Sequence, residues 1–151
     1  PLAIDHIAAL RDAISRAPWV LFLGDNAGET VFDRVLVTQM APVPVVYAVK
    51  GGPVLNDALE EDAMAAGLHH VARIVNTGSD VLGTVLEYCT EEFCRLYREA
   101  PLIVAKGMAH FEALGAAEEG PRLFFILQAK CPVVARELGT TVGGLVVKRG
   151  G

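Results

Sequence analysis

The amino-acid sequence predicts a three-layer α/β/α sandwich around a mostly parallel β-sheet of about six strands. Short apolar segments alternate with segments of helical periodicity along all 151 residues. Hydrophobic residues make up 52% of the chain and the mean hydropathy is +0.40, which is typical of strands that helices cover on both faces. Because this length suits one hydrophobic core, residues 1–151 are predicted to form a single domain.

The first half of the chain is predicted to contain an opening helix and then two units of strand, loop and helix. Pro18 closes the opening helix, and Asp57 and Gly67 are preferred start and end residues for the last helix of this half. The predicted elements are a helix over 2–17, a strand over 19–25, a helix over 31–41, a strand over 44–50 and a helix over 57–67.

The second half continues the alternation without a repeat or a linker. The predicted elements are a strand over 71–76, a helical stretch that ends at Tyr97, a strand over 101–107, a helix over 108–115, a strand over 122–130, a helix over 132–139 and a strand over 143–148. Such alternation requires right-handed crossovers, so the loops that leave the carboxyl ends of the strands gather along one edge of the sheet. Ligands bind at that edge in open α/β folds.

The composition excludes several classes of partner. A net charge of −5 leaves no basic face for nucleic acid, and no apolar run reaches the roughly 18 to 20 residues of a membrane-spanning helix. Cys89, Cys94 and Cys131 lack CxxC spacing, which favours reduced thiols and a cytoplasmic location. The loops contain no dinucleotide fingerprint, P-loop or GxSxG elbow. A small ligand is therefore the expected partner.

Oxygen-bearing side chains cluster in the loops after the first two predicted strands. Asp25 and Asn26 follow the first strand, and Asp57 ends the loop after the second. Two carboxylates and an amide oxygen suit a hard divalent cation such as Mg²⁺ or Mn²⁺. The same residues also suit a simpler purpose, because Asp and Asn between a strand and a helix commonly form turns and helix caps.

Candidate anion ligands occur in the later loops and at two strand ends. Thr77, Ser79 and Asp80 resemble an anion-binding nest near a helix start, although they are also ordinary loop residues. Lys50 and Lys106 directly follow apolar strands, where an ammonium group can neutralise a phosphate or remain a solvated strand-end lysine. Together the loops are typical of a metal and phosphate site.

The loops taken in order resemble a specific family. The segments GDNAGETVFDRVLV, VKGGPVLNDAL, NTGSDVLGT, VAKG followed by FE, and LQAKCPVVARELG are similar to the metal-dependent damage-control phosphatases, first catalogued as domain of unknown function eighty-nine. The likeness spans nearly the whole chain. It implies a Rossmann-like α/β/α domain that hydrolyses small phosphometabolites, including sugar phosphates and phosphopantetheine-like compounds, with one divalent ion of Mn, Co, Ni or Mg.

The resemblance also implies residue roles. The metal would be held by Asp25, Asn26 and Asp57, and phosphate would be contacted by Lys106 and by the loop of Thr77, Ser79 and Asp80. Lys106 and Asp25 are the candidate catalytic residues. The resemblance leaves open whether Asp25 attacks phosphorus or a metal-activated water does.

The chain departs from the family in two respects. The chain resembles the carboxyl-terminal α/β domain of the archaeal and bacterial branch, whose members usually read KGQGN[FY]E after the fourth strand, whereas Met108 and His110 replace the two amides here. Those amides are expected to bind substrate or to order the loop. The helical amino-terminal region of the family is absent except for its last helix, so a fragment and a naturally short member are both open. The alternative function is a metal- and phosphate-binding module without turnover.

Overall fold

The computed structural model describes residues 1–117 and 119–151. Its strands are β1 (Ile4–Asp5), β2 (Val20–Leu23), β3 (Val45–Val49), β4 (Arg73–Asn76), β5 (Ile103–Lys106), β6 (Leu123–Gln128) and β7 (Leu145–Arg149). Its helices are α1 (Ile7–Arg16), α2 (Thr30–Gln39), α3 (Glu60–Ala65), α4 (Glu91–Glu99), α5 (Met108–Leu114) and α6 (Pro132–Leu138). Short 3-10 turns cover 27–29, 68–70, 86–88 and 120–122.

All strands belong to one seven-stranded sheet in the order β1-β7-β6-β5-β2-β3-β4. The five strands from β6 to β4 pair in parallel, whereas β7 runs antiparallel to β6 and is parallel to β1. The chain passes from β2 outward to β3 and β4 and then returns to β5 on the other side of β2. The order of the strands therefore reverses between β2 and β5, which is where open α/β sheets form their ligand crevice.

The core lies in two layers, one on each face of the sheet. Phe93, Phe111 and Leu138 place α4, α5 and α6 against one face, and Leu10, Val37 and Ala63 place α1, α2 and α3 against the other. Neighbouring strand residues alternate between the two layers because side chains of a strand point to opposite faces. The predicted α/β/α architecture and its mostly parallel sheet are confirmed.

The structure corrects the prediction for the start of the chain. Residues 2–17 are predicted as one helix, but Ile4–Asp5 forms a strand that pairs with β7, and α1 starts only at Ile7. The Asp5 carboxylate accepts a hydrogen bond from the Ile7 amide at 3.0 Å, so this side chain ends the strand and supports the helix start. The sheet therefore has seven strands where about six were predicted. The sequence does not reveal β1 because a strand of two residues is too short to show an alternating pattern.

Two other helix boundaries also differ from the prediction. The helix expected from Asp57 begins at Glu60, and the Asp62 carboxylate accepts the Leu59 amide at 2.8 Å. Asp57 therefore does not cap the helix. The stretch before Tyr97 divides into a 3-10 turn and α4, with the Thr90 hydroxyl accepting the Phe93 amide. No helix in the described residues is long and apolar enough to cross a membrane.

Candidate metal and phosphate site

The loops after β2 and β3 are joined by a short antiparallel backbone pairing. Asn26 and Asp57 are bridge partners. The Ala27 amide donates to the Asn56 carbonyl at 2.8 Å, and the Ala58 amide donates to the Asp25 carbonyl at 2.8 Å. This pairing brings the three predicted metal ligands, Asp25, Asn26 and Asp57, to one place at the carboxyl edge of the sheet. It also explains why Asp57 lies outside α3.

The carboxylates of this group are crowded. Burial raises the pKa of Asp25 to about 6, and the negative charges of Glu29 and Asp57 add to the increase. Burial also raises the pKa of Asp57, against the effect of Lys50. Charge repulsion of this kind is relieved when a cation binds between the groups, because an opposite charge favours the ionised form.

The donor set fits an oxygen-loving divalent ion that keeps several waters. Asp25 and Asp57 supply two carboxylates and Asn26 supplies one neutral amide oxygen. Residues 1–117 and 119–151 contain no group of three or more His, Cys, Asp or Glu side chains arranged to hold a metal ion. The ligand role of Asp25, Asn26 and Asp57 stays a prediction.

Gly107 allows the end of β5 to approach the first loop. Its φ angle is +92°, and a side chain on this residue would collide with the Asp25 carboxylate. Its amide donates to the Ile126 carbonyl at 2.9 Å, which fixes the turn against β6. The absence of a side chain at Gly107 therefore lets Lys106 and Asp25 lie near each other at the switch between β5 and β2.

Lys106 is held in a network of carboxylates and is not a solvated lysine. Its ammonium donates to Glu29 at 2.7 Å and to Asp33 at 2.9 Å. The Asp33 carboxylate is buried, at 2% exposure, and accepts a second hydrogen bond from the Tyr47 hydroxyl at 2.7 Å. Burial alone would lower the pKa of Lys106, but Asp33 and Glu29 outweigh it and raise that pKa.

Sequence reasoning missed Glu29, Asp33 and Tyr47 as members of the site. The spacing of Glu29 and Asp33 contains a signal, because residues four apart lie on the same side of a helix. Both acids are in the segment GDNAGETVFD, directly after the predicted metal ligands. Tyr47 gives no such signal, since an aromatic residue inside an apolar strand is usually part of the core.

Lys50 is a buried lysine near the predicted metal ligands. Only 4% of it is exposed, and its ammonium donates to the Gly83 carbonyl. Burial lowers the pKa of Lys50, while the charges of Asp57 and Asp25 oppose the decrease. The solvated alternative is therefore wrong for Lys50 as well, and its predicted contact with phosphate would need one of its remaining N–H groups.

The loop after β4 uses its hydroxyl oxygens to support its own backbone. The Thr77 hydroxyl accepts the Ser79 amide at 3.2 Å, and the Ser79 hydroxyl accepts the Val81 amide at 3.1 Å. Both residues are buried, whereas Asp80 is exposed. The Gly51 amide donates to the Ser79 carbonyl at 2.9 Å, which ties this loop to the one after β3. A phosphate role for the three residues stays a prediction.

His110, one of the two departures from the family motif, is buried beneath the first loop. Its Nε2 lies 2.9 Å from the Gly24 carbonyl and its Nδ1 lies 3.0 Å from the Thr84 hydroxyl. Burial lowers the pKa of His110 to about 4, so the ring is neutral at pH 7. Nε2 then donates to Gly24, and Nδ1 accepts from Thr84. His110 therefore connects the loops that contain Gly24 and Thr84 and has almost no exposed surface.

A cavity of about 400 Å³ opens beside this site. Its charged side contains Asp25, Glu29 and Lys106, and Lys130 lies at its exposed rim. Met108, the other departure from the family motif, lines the cavity, and its sulfur accepts the Lys130 amide at 3.2 Å. The volume suits a small molecule. Lys130 is a further residue that sequence reasoning did not select.

The raised pKa of Asp25 predicts a stability effect with a definite sign. Because the folded pKa, about 6, exceeds the ordinary 3.8, the metal-free protein loses stability as the pH rises from 4 through 6. We expect Asp25→Asn to stabilise the metal-free chain by about 1–3 kcal/mol at pH 8, with a difference that disappears below pH 4. Urea unfolding in a chelator checks this. Asp80→Asn, in an exposed position, is the control, and a pH-independent effect of Asp25→Asn would contradict the expectation.

The chain is similar in sequence to one described protein family and to several individual proteins. A family described as the damage-control phosphatase ARMT1-like domain matches residues 1–146. The chain is 38% identical over 151 residues to a damage-control phosphatase of Pyrococcus horikoshii, covering 98% of this chain and 52% of that protein. It is 37% identical over 132 residues to a damage-control phosphatase of Archaeoglobus fulgidus, covering 85% of this chain and 46% of that protein.

A further archaeal relative and a solved structure are also similar to this chain. An uncharacterised protein of Methanocaldococcus jannaschii is 43% identical over 132 residues, covering 85% of this chain and 43% of that protein. A crystal structure of a DUF89 family protein from Pyrococcus horikoshii superposes with a TM-score of 0.96 at 38% identity, covering 100% of this chain and 54% of that one. The chain thus spans about half the length of the relatives it matches. The resemblance drawn from the loops is confirmed, and the chain belongs to the damage-control phosphatase ARMT1-like family.

Proposed function

We propose that this chain carries the catalytic site of a metal-dependent phosphomonoester hydrolase that acts on small phosphorylated metabolites such as sugar phosphates. The observation that carries the proposal is the meeting of Asp25, Asn26 and Asp57 with Lys106 at the sheet's switch point. The names of two relatives, which are damage-control phosphatases at 38% and 37% identity, support it. We propose a cytoplasmic location on the basis of the three free thiols.

Asp25, Asn26 and Asp57 would hold one divalent ion, of Mn, Co, Ni or Mg. Such an ion neutralises charge on the transferring phosphoryl group. The crowded carboxylates support this assignment, since burial and mutual repulsion raise the pKa values of Asp25 and Asp57 in the metal-free protein. Lys50 supplies a fixed positive charge on the Asp57 side of the group.

Lys106 would bind a phosphate oxygen through the ammonium hydrogen that its two carboxylates leave free. Asp33 and Glu29 each take one hydrogen, at 2.9 and 2.7 Å, so the direction of the third is fixed. Because the partners are pre-positioned, little side-chain entropy is lost when phosphate binds. Lys130 at the cavity rim offers a second positive charge to the incoming anion.

Asp25 lines the cavity, so its carboxylate is accessible to an incoming phosphate. Two routes follow for the transfer step. In one, Asp25 attacks phosphorus and the alcohol leaves, which gives a phosphoaspartate that water then cleaves. In the other, water attacks directly and no covalent species forms. Rapid acid quenching during turnover of a ³²P-labelled phosphate ester separates them, because only the first route leaves phosphorus covalently bound to Asp25.

A second candidate function is a metal- and phosphate-binding module without turnover. The observation that favours it is the open outer wall of the cavity, where Leu145 is 52% exposed and Gln128 and Lys130 are also exposed. Phosphoryl transfer depends on exact positioning and benefits from the exclusion of water. The two candidates share the same metal ligands and differ only in hydrolysis.

Removal of the metal tests the proposal directly. We expect chelation to abolish release of phosphate from a panel of sugar phosphates and added Mn²⁺ to restore it. Asp57→Asn should lower the affinity for Mn²⁺ by at least about tenfold, because one of two carboxylate ligands loses its charge. Glu61→Gln, on the exposed surface of α3, is the control. Hydrolysis that persists in a chelator would disprove metal dependence, and Mn²⁺ binding without any hydrolysis would favour the module.

Substitution of Lys106 tests the phosphate role. Lys106→Met should weaken the binding of inorganic phosphate, in the presence of Mn²⁺, by about tenfold or more, because a charge-assisted hydrogen bond is lost. It should also destabilise the fold by about 3 kcal/mol, since the buried Asp33 loses its counter-ion. Calorimetric titration and urea unfolding measure the two effects.

Lys148→Met on β7 is the matched control for Lys106, and neither effect is expected from it. If Lys106→Met unfolds, the comparison of Lys106→Met/Asp33→Asn with Asp33→Asn alone isolates the phosphate effect, because the buried pair is then neutral. Unchanged phosphate affinity in both comparisons would refute the assignment.

A further inference from the structure

Asn26 has an amide side chain whose two ends are not equivalent for a cation. Its oxygen can bind a divalent ion, whereas its NH₂ group repels one. In the structure the Asn26 Nδ2 donates to Glu29 Oε1 at 3.3 Å. An ionised carboxylate only accepts hydrogen bonds, so this contact requires the NH₂ end to face Glu29. The amide oxygen is thereby turned away from Glu29 and left for the cation.

Glu29 is itself fixed by a chain of hydrogen bonds that reaches the core. Its second oxygen, Oε2, accepts the Lys106 ammonium at 2.7 Å, and Lys106 also donates to Asp33 at 2.9 Å. Asp33 accepts the hydroxyl of Tyr47 at 2.7 Å, and Tyr47 has no exposed surface. The Glu29 side chain is 36% exposed and would rotate freely without these partners.

We infer that Glu29 is a positioning residue: its bond to Lys106 fixes its carboxylate, and its other oxygen sets the orientation of the Asn26 amide that presents oxygen to the metal. The inference rests on the metal site of the proposed function. Loss of a residue that orients a metal ligand in this way commonly lowers the affinity of the site for the ion.

The charge of Glu29 must be separated from its hydrogen bonds, because removal of any carboxylate near a cation weakens binding. Glu29→Gln and Glu29→Leu remove the same charge. They differ in what faces Asn26. In the glutamine variant the amide oxygen bonds to the charged Lys106, since a charge-assisted hydrogen bond is the stronger one. Its NH₂ group then faces Asn26, whose amide turns over to accept it. In the leucine variant the Asn26 amide is free to adopt either orientation.

We therefore expect the conservative substitution to be the more damaging one. The affinity for Mn²⁺, measured by calorimetric titration, should be highest for the wild type, lower for Glu29→Leu, and about fivefold lower again for Glu29→Gln. Glu87→Leu and Glu87→Gln, at an exposed position in the 3-10 turn over 86–88, provide a pair with the same change of charge. These two variants should bind Mn²⁺ equally.

The outcomes separate the inference from the proposed function. If Glu29→Gln binds Mn²⁺ as tightly as Glu29→Leu or more tightly, the charge alone accounts for Glu29, and the positioning role is overturned while the metal site stands. A wild-type chain that binds no Mn²⁺ overturns both. Thermal unfolding without metal verifies the fold of each variant, and Glu29→Met, also neutral and without an oxygen, replaces Glu29→Leu if that variant is unfolded.

Discussion

The antiparallel pairing between the loops after β2 and β3 is the contact on which the rest of the site depends. Parallel strands alone place Asp25 and Asp57 at the same edge of the sheet, but strand ends diverge into separate loops. The Ala27 and Ala58 amides cross between these loops, each at 2.8 Å from its acceptor, and hold Asn26 opposite Asp57. Backbone hydrogen bonds set this geometry, so the three predicted ligands would already be in position before an ion binds.

The balance of buried charge follows from that arrangement. Acidic groups on α2 and in the first loop surround Lys106, whereas Lys50 lies under the loop after β3 and reaches the Gly83 carbonyl. A cluster with more carboxylates than cations is costly inside a protein. Electrostatic strain of this kind is stored at functional sites when the surrounding packing is strong enough to tolerate it, and here the Tyr47 ring and the sheet supply that packing.

Much of the fold follows from the sequence because long, periodic segments report burial reliably. Strands such as 123–128 and helices such as 30–39 are recognisable from their apolar pattern. The strand at Ile4 is too short to show a period, and the start of α3 is displaced because Asp57 is committed to its backbone pairing. Of the site, the acids that follow strands were predictable, whereas Glu29, Asp33 and Tyr47 become partners of Lys106 only through tertiary packing.

The buried imidazole of His110 connects loops that are far apart in the sequence, through Gly24 on one side and Thr84 on the other. Its Nε2 lies two bonds beyond Cγ, whereas both polar atoms of an asparagine side chain are bonded directly to Cγ and reach less far from the backbone. An asparagine at this position therefore cannot satisfy both partners across the same gap. Evolutionary change at 110 must be accompanied by change at 84 or by a shift of the intervening backbone, so the two positions should co-vary among relatives.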